Sequence, residues 1–228
     1  MSRPKALVAW SSGKDSAWAL HEVRRERALE VVGLLTTVTS EFRRVSMHAV
    51  REELLDRQAA SLGLPCRKVR IPWPCPNAIY EAEMARALAE ARAAGVTRVV
   101  FGDLFLEDVR AYRVEKLAGT GIEPVFPLWG RDTAQLARDM LAAGLRATLT
   151  CVDPRRLDAS FVGRAFDGAL LDALPADVDP CGERGEFHTF CWAGPMLVAS
   201  IPVVTGEVVE REGFVFSDLR HASPGEAA

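Results

Sequence analysis

Apolar and polar positions follow two rhythms along the first 130 residues. Short apolar runs rich in Val, Leu and Thr recur at 5–10, 30–38, 65–72, 96–103 and 122–129. Between them, apolar residues return every three or four positions, at 15–26 (Ala17, Leu20, Val23), 46–63 (Leu54, Leu55, Ala59, Leu62), 77–95 and 106–121. The short runs read as buried strands and the longer stretches as amphipathic helices, with glycine stops at Gly63 and Gly95. Strand and helix in alternation predict an α/β fold: a Rossmann-like, mostly parallel sheet with helices on both faces. After about Gly130 the rhythm changes. A helix over 132–144, a strand over 145–153 and a helix over 160–174 precede a loop-like stretch, 175–190. Antiparallel hairpin strands follow within 196–219, with Gly206 and Gly213 near the turns. Two domains are expected: residues 1–130, and a smaller α+β region over 131–228 whose polar tail, 221–228, frays.

Open parallel sheets bind ligands beyond the carboxyl ends of their strands. The first strand ends there in Ser11-Ser12-Gly13-Lys14-Asp15-Ser16, and a helix begins. Backbone N–H groups at such a turn converge, and the helix N-terminus favours negative charge. Gly13 allows close approach, the serines offer hydroxyls and Lys14 a point charge. Asp15 repels a bare anion. It fits if Mg²⁺ bridges it to phosphate oxygens, or as a helix cap. The spacing is neither G-x-x-x-x-G-K-S/T nor G-x-G-x-x-G.

Other candidates sit at the same predicted edge. Gly102 and Asp103 follow the fourth strand; Asp103 can hold Mg²⁺, orient substrate or cap the next helix. Arg110 and Arg113 share a helix face. They can clamp a phosphate or carboxylate, or pair with Glu107 or Glu115 at the surface. Residues 179–190 pack Glu183, Glu186 and His188 among Gly182 and Gly185. The acids can bind ammonium or an amine, or act as general base, or simply face water. Cys181 reads as site-lining. The proline-rich 72–77 stretch is a lid or a packed connector.

Composition narrows the classes. A net charge of -3 and a pI near 5.9 argue against a general nucleic-acid binder. The five cysteines contain no C-x-x-C pair, so reduced thiols and a cytoplasmic location are expected. No apolar run reaches the roughly 18 residues of a membrane span, and the N-terminus does not read as a secretion signal. The pattern leaves a homo-oligomer open.

Ser-Ser-Gly-Lys-Asp-Ser resembles the S-G-G-x-D-S pyrophosphate loop of ATP pyrophosphatases, with Ser12 in place of the first glycine. Gly182-Glu183, Gly185-Glu186-Phe187 and Thr189 resemble the G-E-x-G-E-Y/F-x-T element of the diphthine–ammonia ligase family. Residues 101–113 and 126–133 also look like segments of that family, so the resemblance covers nearly the whole chain. It implies an adenine nucleotide α-hydrolase-like domain followed by a smaller C-terminal domain. It implies an enzyme that adenylates a carboxylate with Mg·ATP, releases pyrophosphate and transfers ammonia. The carboxylate would be diphthine on a translation elongation factor, or a small acid such as a corrinoid precursor. The residues implied are Ser11, Ser12, Gly13, Lys14, Asp15 and Ser16 around the phosphates, with Asp15 on Mg²⁺. Thr37, His48, Gly102 and Asp103 would line the nucleotide. Arg110, Arg113, Cys181, Gly182, Glu183, Gly185, Glu186, His188 and Thr189 would face the substrate. Lys14, Asp15, Glu183 and Glu186 would carry the catalysis. Two other readings share the loop: a pyrophosphatase acting on tRNA, and a nucleotide-binding protein without catalysis.

Overall fold

The computed structural model describes residues 2–223 and Glu226. The frayed tail expected at 221–228 falls partly on residues 224, 225, 227 and 228, which lie outside the described residues. In chain order the first unit contains β1 (Lys5–Ala9), α1 (Lys14–Glu26), β2 (Glu30–Thr39), β3 (Arg44–Val45), α2 (Glu52–Leu62), β4 (Cys66–Ile71), α3 (Asn77–Ala93), β5 (Val96–Val100), α4 (Glu107–Leu117) and β6 (Glu123–Val125). The second contains α5 (Thr133–Ala142), β7 (Arg146–Val152), β8 (Ala165–Phe166), α6 (Gly168–Ala173), β9 (Phe187–Ala193), β10 (Val203–Arg211) and β11 (Phe214–His221).

The first sheet is the expected parallel one. Pairing runs β4-β2-β1-β5-β6, all parallel, with β3 folded antiparallel onto the end of β2. The chain builds outward from β1 in one direction, then returns to β1's other side with β5. That reversal opens a crevice between the carboxyl ends of β1 and β5, where ligands gather in such sheets. β1 is apolar throughout its middle because helices cover both of its faces. Ala6 and Val8 share a core with Trp18 of α1 and Leu54 and Leu55 of α2. Leu7, between them, points to Ala87, Leu88 and Ala91 of α3 and Leu117 of α4. This is the two-residue alternation of a strand.

The second sheet is ordered β10-β11-β7-β8, with β9 also paired to β7, all antiparallel. Its Phe166, Phe187 and Phe190, with Leu136 and Met140 of α5, belong to the same core as α1. The two sheets therefore share one apolar interior that meets at α1.

Four expected elements are corrected. The helix expected over 46–63 begins only at Glu52, because Met47 (φ 64°) and Ala49 (φ 54°) are left-handed and cannot continue a right-handed turn. β2 runs on to Thr39, one residue past the expected strand, and Thr36 and Thr37 lie within it. The single helix expected over 160–174 is broken at Gly163 (φ 77°), and Ala165–Phe166 leaves to pair with β7. The loop expected over 175–190 gives way to β9 at Phe187, which puts His188 and Thr189 on a strand. Gly213 is at the β10–β11 turn as expected, but Gly206 lies within β10, at a register shift.

Candidate functional site

The loop after β1 is held from behind by buried polar contacts. Trp10 Nε1 donates to Gln58 Oε1 at 2.9 Å. Gln58 Nε2 donates to the carbonyls of Ser12 (3.0 Å) and Cys191 (2.6 Å). The Cys191 N–H also donates to the Ser12 carbonyl, at 2.9 Å. One fully buried amide thus pins the loop to β9. Sequence reasoning did not single out Gln58. Its one local signal was a polar residue on the apolar face of α2, beside Leu54, Leu55 and Leu62.

Ser12 stands at φ 71°, the left-handed region where glycine is the usual occupant. Its hydroxyl is buried and has no partner among the described residues. A serine there carries backbone strain of about 1 kcal/mol or more. Ser12→Gly is therefore expected to raise unfolding stability by about 1 kcal/mol, read by urea denaturation; a loss would contradict the strain. The rest of the loop is closed by short hydroxyl contacts: Ser16 Oγ to the Gly13 carbonyl at 3.0 Å, and Ser11 Oγ to Ser16 Oγ at 3.2 Å. Gly102, at the end of β5, lies against the start of α1. A Cβ there would sit 2.8 Å from the Asp15 carbonyl carbon, so only glycine lets the two strand ends close on the helix.

Lys14 does not extend into solvent. Its side chain is 2% exposed, and its ammonium lies 2.9 Å from Asp15 and donates to the Cys181 carbonyl. The rings of Phe166 and Phe187 lie 5.5 and 5.3 Å from it. Burial works most strongly against this charge, yet Asp15 together with Cys181 and Asp179 outweighs it and the pKa is raised. Lys14 thus sits behind the loop as a buried cation bridging both units. Its backbone N–H, the first of α1, donates to Thr189 Oγ1 at 3.1 Å.

The acid- and glycine-rich segment closes over the same place. Asp179 Oδ1 accepts the N–H groups of Cys181 (2.8 Å) and Glu183 (3.3 Å), which forms the turn. Gly182 (φ 67°) is required there, since a Cβ would meet the Phe187 carbonyl at 2.8 Å. Glu183 reaches across to the β5–α4 connection and accepts the N–H of Leu104 at 2.7 Å. Burial, reinforced by the charges of Asp15 and Asp103, pushes its carboxyl up to about 7 despite the backbone donors. Glu186 is turned inward: Oε1 accepts the Asp179 N–H at 3.1 Å, and Oε2 is buried without a partner among the described residues. The Cys181 thiol is pushed well up by burial and donates to the Thr133 carbonyl. It is no thiolate nucleophile.

His48 lies on the loop and not on a helix. Its Nδ1 is 3.2 Å from the Thr189 carbonyl, and a Cβ on Gly13 would be 3.0 Å from its ring. The His188 ring stacks against it at 4.5 Å. Burial lowers both, His188 to about 4 and His48 well below its ordinary value, so both imidazoles are neutral at pH 7.

The remaining predicted residues flank this centre. Asp103 is not a helix cap; it holds Arg113, whose guanidinium also covers the Phe101 ring at 4.4 Å. Arg110 stacks on Phe126 and Trp129, 5.3 and 4.6 Å from their centroids. Neither pairs with Glu107 or Glu115. A cleft of about 920 Å³ runs as a groove between α3 (Met84, Leu88) and α4 (Arg113, Lys116) to Ser11 after β1, Thr36 and Thr37 in β2 and Phe101 after β5. Thr36 Oγ1 is buried behind its wall without a partner among the described residues. The volume suits a nucleotide-sized ligand. Among the described residues no three His, Cys, Asp or Glu side chains converge as a metal cage, and no helix is long and apolar enough to cross a membrane.

Two family models match the chain: the Diphthamide synthase N-terminal domain over residues 4–121 and the Diphthamide synthase C-terminal domain over 132–223. Proteins named diphthine–ammonia ligase from Rattus norvegicus and Homo sapiens are each 28% identical over 122 residues, 51% of this chain and 46% of theirs. The one from Schizosaccharomyces pombe is 31% identical over 94 residues, 40% of this chain and 16% of its own. The chain spans about half the length of the first of these relatives. A U34-tRNA thiolase from Methanococcus maripaludis aligns over 58% of this chain and 55% of its own, at 14% identity and a TM-score of 0.36, too low a likeness to bear on fold or activity.

Proposed function

This chain belongs to the diphthamide synthase family, and from that premise we propose that it is an ATP-dependent carboxylate–ammonia ligase. The observation that carries the reading is the meeting of two stretches some 170 residues apart. The Ser11–Ser16 loop is bound by Thr189 and Cys191, while Glu183 closes over the loop's β5 side.

In this reading the 920 Å³ cleft takes ATP. The substrate carboxylate attacks the α-phosphorus, and the bond to pyrophosphate breaks. The N-terminus of α1 holds the departing anion, with Ser11 at the cleft wall beside it. Buried Lys14 adds its field from behind. The Asp15 carboxylate, 28% exposed at the helix start, offers hard oxygens that fit Mg²⁺, which ATP enzymes commonly hold through one or two carboxylates and the phosphates. When bound, Mg²⁺ supplies neutralisation of phosphate charge. Ammonia then attacks the acyl carbon, the C–O bond to AMP breaks, and Glu183 accepts the proton that the new amide sheds. The neutral His48–His188 pair adds no positive charge to repel an ammonium ion. Glu186 holds the turn from within. The carboxylate is diphthine on an elongation factor or a small acid, and the division of labour follows residues 1–130 and 131–228, in the cytoplasm.

Incubation with ATP, Mg²⁺, ammonium and a panel of carboxylates is expected to yield AMP and pyrophosphate in equal amounts, dependent on one carboxylate. Without ammonia, that carboxylate should support exchange of labelled pyrophosphate into ATP. ADP as product, or release that depends on tRNA, would refute the proposal.

A further inference from the structure

A second cleft, of about 610 Å³, lies beyond the histidine pair. Its walls include Gly185, His188, Arg155, Arg156, Arg184 and Asp153. Its charge is one-sided: three guanidiniums against one carboxylate. Asp153 is 5% exposed and binds Arg155 through both oxygens at 2.8 Å, with Arg156 at 3.7 Å. The pair with Arg155, seconded by Arg156, holds the Asp153 carboxyl below its ordinary range. Asp153 thus fixes the Arg155 fork, while Arg156, drawn in at 3.7 Å, keeps its donors free toward the cleft. Arg184, half exposed, has only a distant acid, Glu186 at 4.0 Å, and its guanidinium rests near the Phe105 ring. Fixed, partly solvated guanidiniums bind carboxylates bidentately and lose little entropy in doing so.

The place of this cleft matters as much as its charge. Its inner wall, His188, stacks on His48, which lies on Gly13 of the loop. A ligand seated among the arginines would lie on the far side of the imidazole pair from Gly13, separated from the loop by those two rings. Arg110 and Arg113, the arginines expected from the sequence to grip the acceptor, are engaged by aromatic rings and Asp103.

We propose that Arg155, Arg156 and Arg184 form an anion subsite for a second carboxylate of the acceptor, so that the preferred acceptor is a dicarboxylate. This rests on the ligase reading for the word acceptor; the anion subsite itself does not.

The test uses the full chain with a non-hydrolysable ATP analogue and Mg²⁺ occupying the loop, and titrates glutarate against butyrate by calorimetry. Glutarate is expected to bind at least about tenfold more tightly than butyrate. Arg184→Gln, and separately Arg155→Gln/Arg156→Gln, should remove that preference while ATP-analogue affinity stays within about twofold. Arg184→Gln leaves both Asp153 pairs in place, so it probes the cleft without disturbing the fold. Equal binding of the two acids, or a preference that survives both variants, overturns the subsite. Pyrophosphate release separates the two claims. If no carboxylate drives release but arginine-dependent glutarate binding persists, the ligase reading fails and the subsite stands. If release proceeds and Arg184→Gln leaves the KM of a dicarboxylate acceptor unchanged, the subsite fails and the ligase reading stands.

Discussion

Replacing Lys14 by methionine is expected to cost about 2–4 kcal/mol of unfolding stability, somewhat below the usual penalty for removing one partner of a buried ion pair because Asp15 is 28% exposed. The methionine fills similar space and can still pack against Phe166 and Phe187, so lost volume is not the cause. The loss arises because Asp15 keeps its charge without an ammonium, and the Cys181 carbonyl loses its donor. Burial already pushes the Asp15 carboxyl upward and Lys14 opposes that. Without Lys14 the upward push is unopposed. The deficit should then shrink as pH falls and Asp15 takes up a proton. Asp15→Asn in the same background should restore part of the stability. Urea unfolding of the single and double variants measures this; equal losses in both would refute the pair as the source. Because the ammonium ties α1 to Cys181, ATP-dependent turnover is expected to fall as well. Intact ATP affinity and turnover would overturn the assignment of the loop.

Glu183→Gln is expected to lower amide formation by about 10²–10⁴-fold, the usual contribution of a positioned general base. The glutamine oxygen can still accept the Leu104 N–H, so the loop should stay in place. The pH dependence gives a second readout. The carboxyl titrates at about 7, and the active form of a base is the carboxylate. Turnover by the parent protein should therefore rise across about pH 6 to 8, and the variant should lose that limb. The stability sign runs the other way. A carboxyl raised from 4.5 to about 7 favours the protonated form in the fold. Its stabilising contribution is present below about 4.5 and is lost as pH rises through about 7. A variant that keeps both the rate and the pH limb would remove Glu183 from the chemistry.

Much of the first sheet was legible because its signals are local. The largely apolar strand over 5–10, opening a run in which strands and helices alternate, implied a strand buried on two faces, and Ala6, Leu7 and Val8 are so placed. The break in rhythm near Gly130 likewise marked the start of the second sheet's elements. The errors came where a strong local pattern met a backbone it could not foresee. Residues 46–51 carry helix-forming types, but Met47 and Ala49 turn left-handed as the chain leaves β3 and sets His48 on the Gly13 loop. Residues 160–174 have helical spacing, yet Ala165–Phe166 finds β7 as a partner. β9 was hidden because Phe187–Phe190 follows a glycine-rich turn, and the sequence does not record the strand that receives it.

The site divides in the same way. The order Ser-Ser-Gly-Lys-Asp-Ser between a buried strand and a helix was enough to mark an anion-binding turn, since helix N-termini attract anions by their own geometry. The types in the second motif marked a sharply turned, acidic segment. Only the tertiary structure decided which groups share the space: Lys14 withdrawn behind the loop, Glu183 raised by burial, Glu186 turned inward, Arg110 and Arg113 diverted, Arg155, Arg156 and Arg184 gathered at the outer cleft. Residue types and periodicity report each segment's preferences for one face or another. Charge state and orientation depend on what lies a few ångströms away across the fold, and those neighbours are brought there by packing between segments 46 to 175 residues apart.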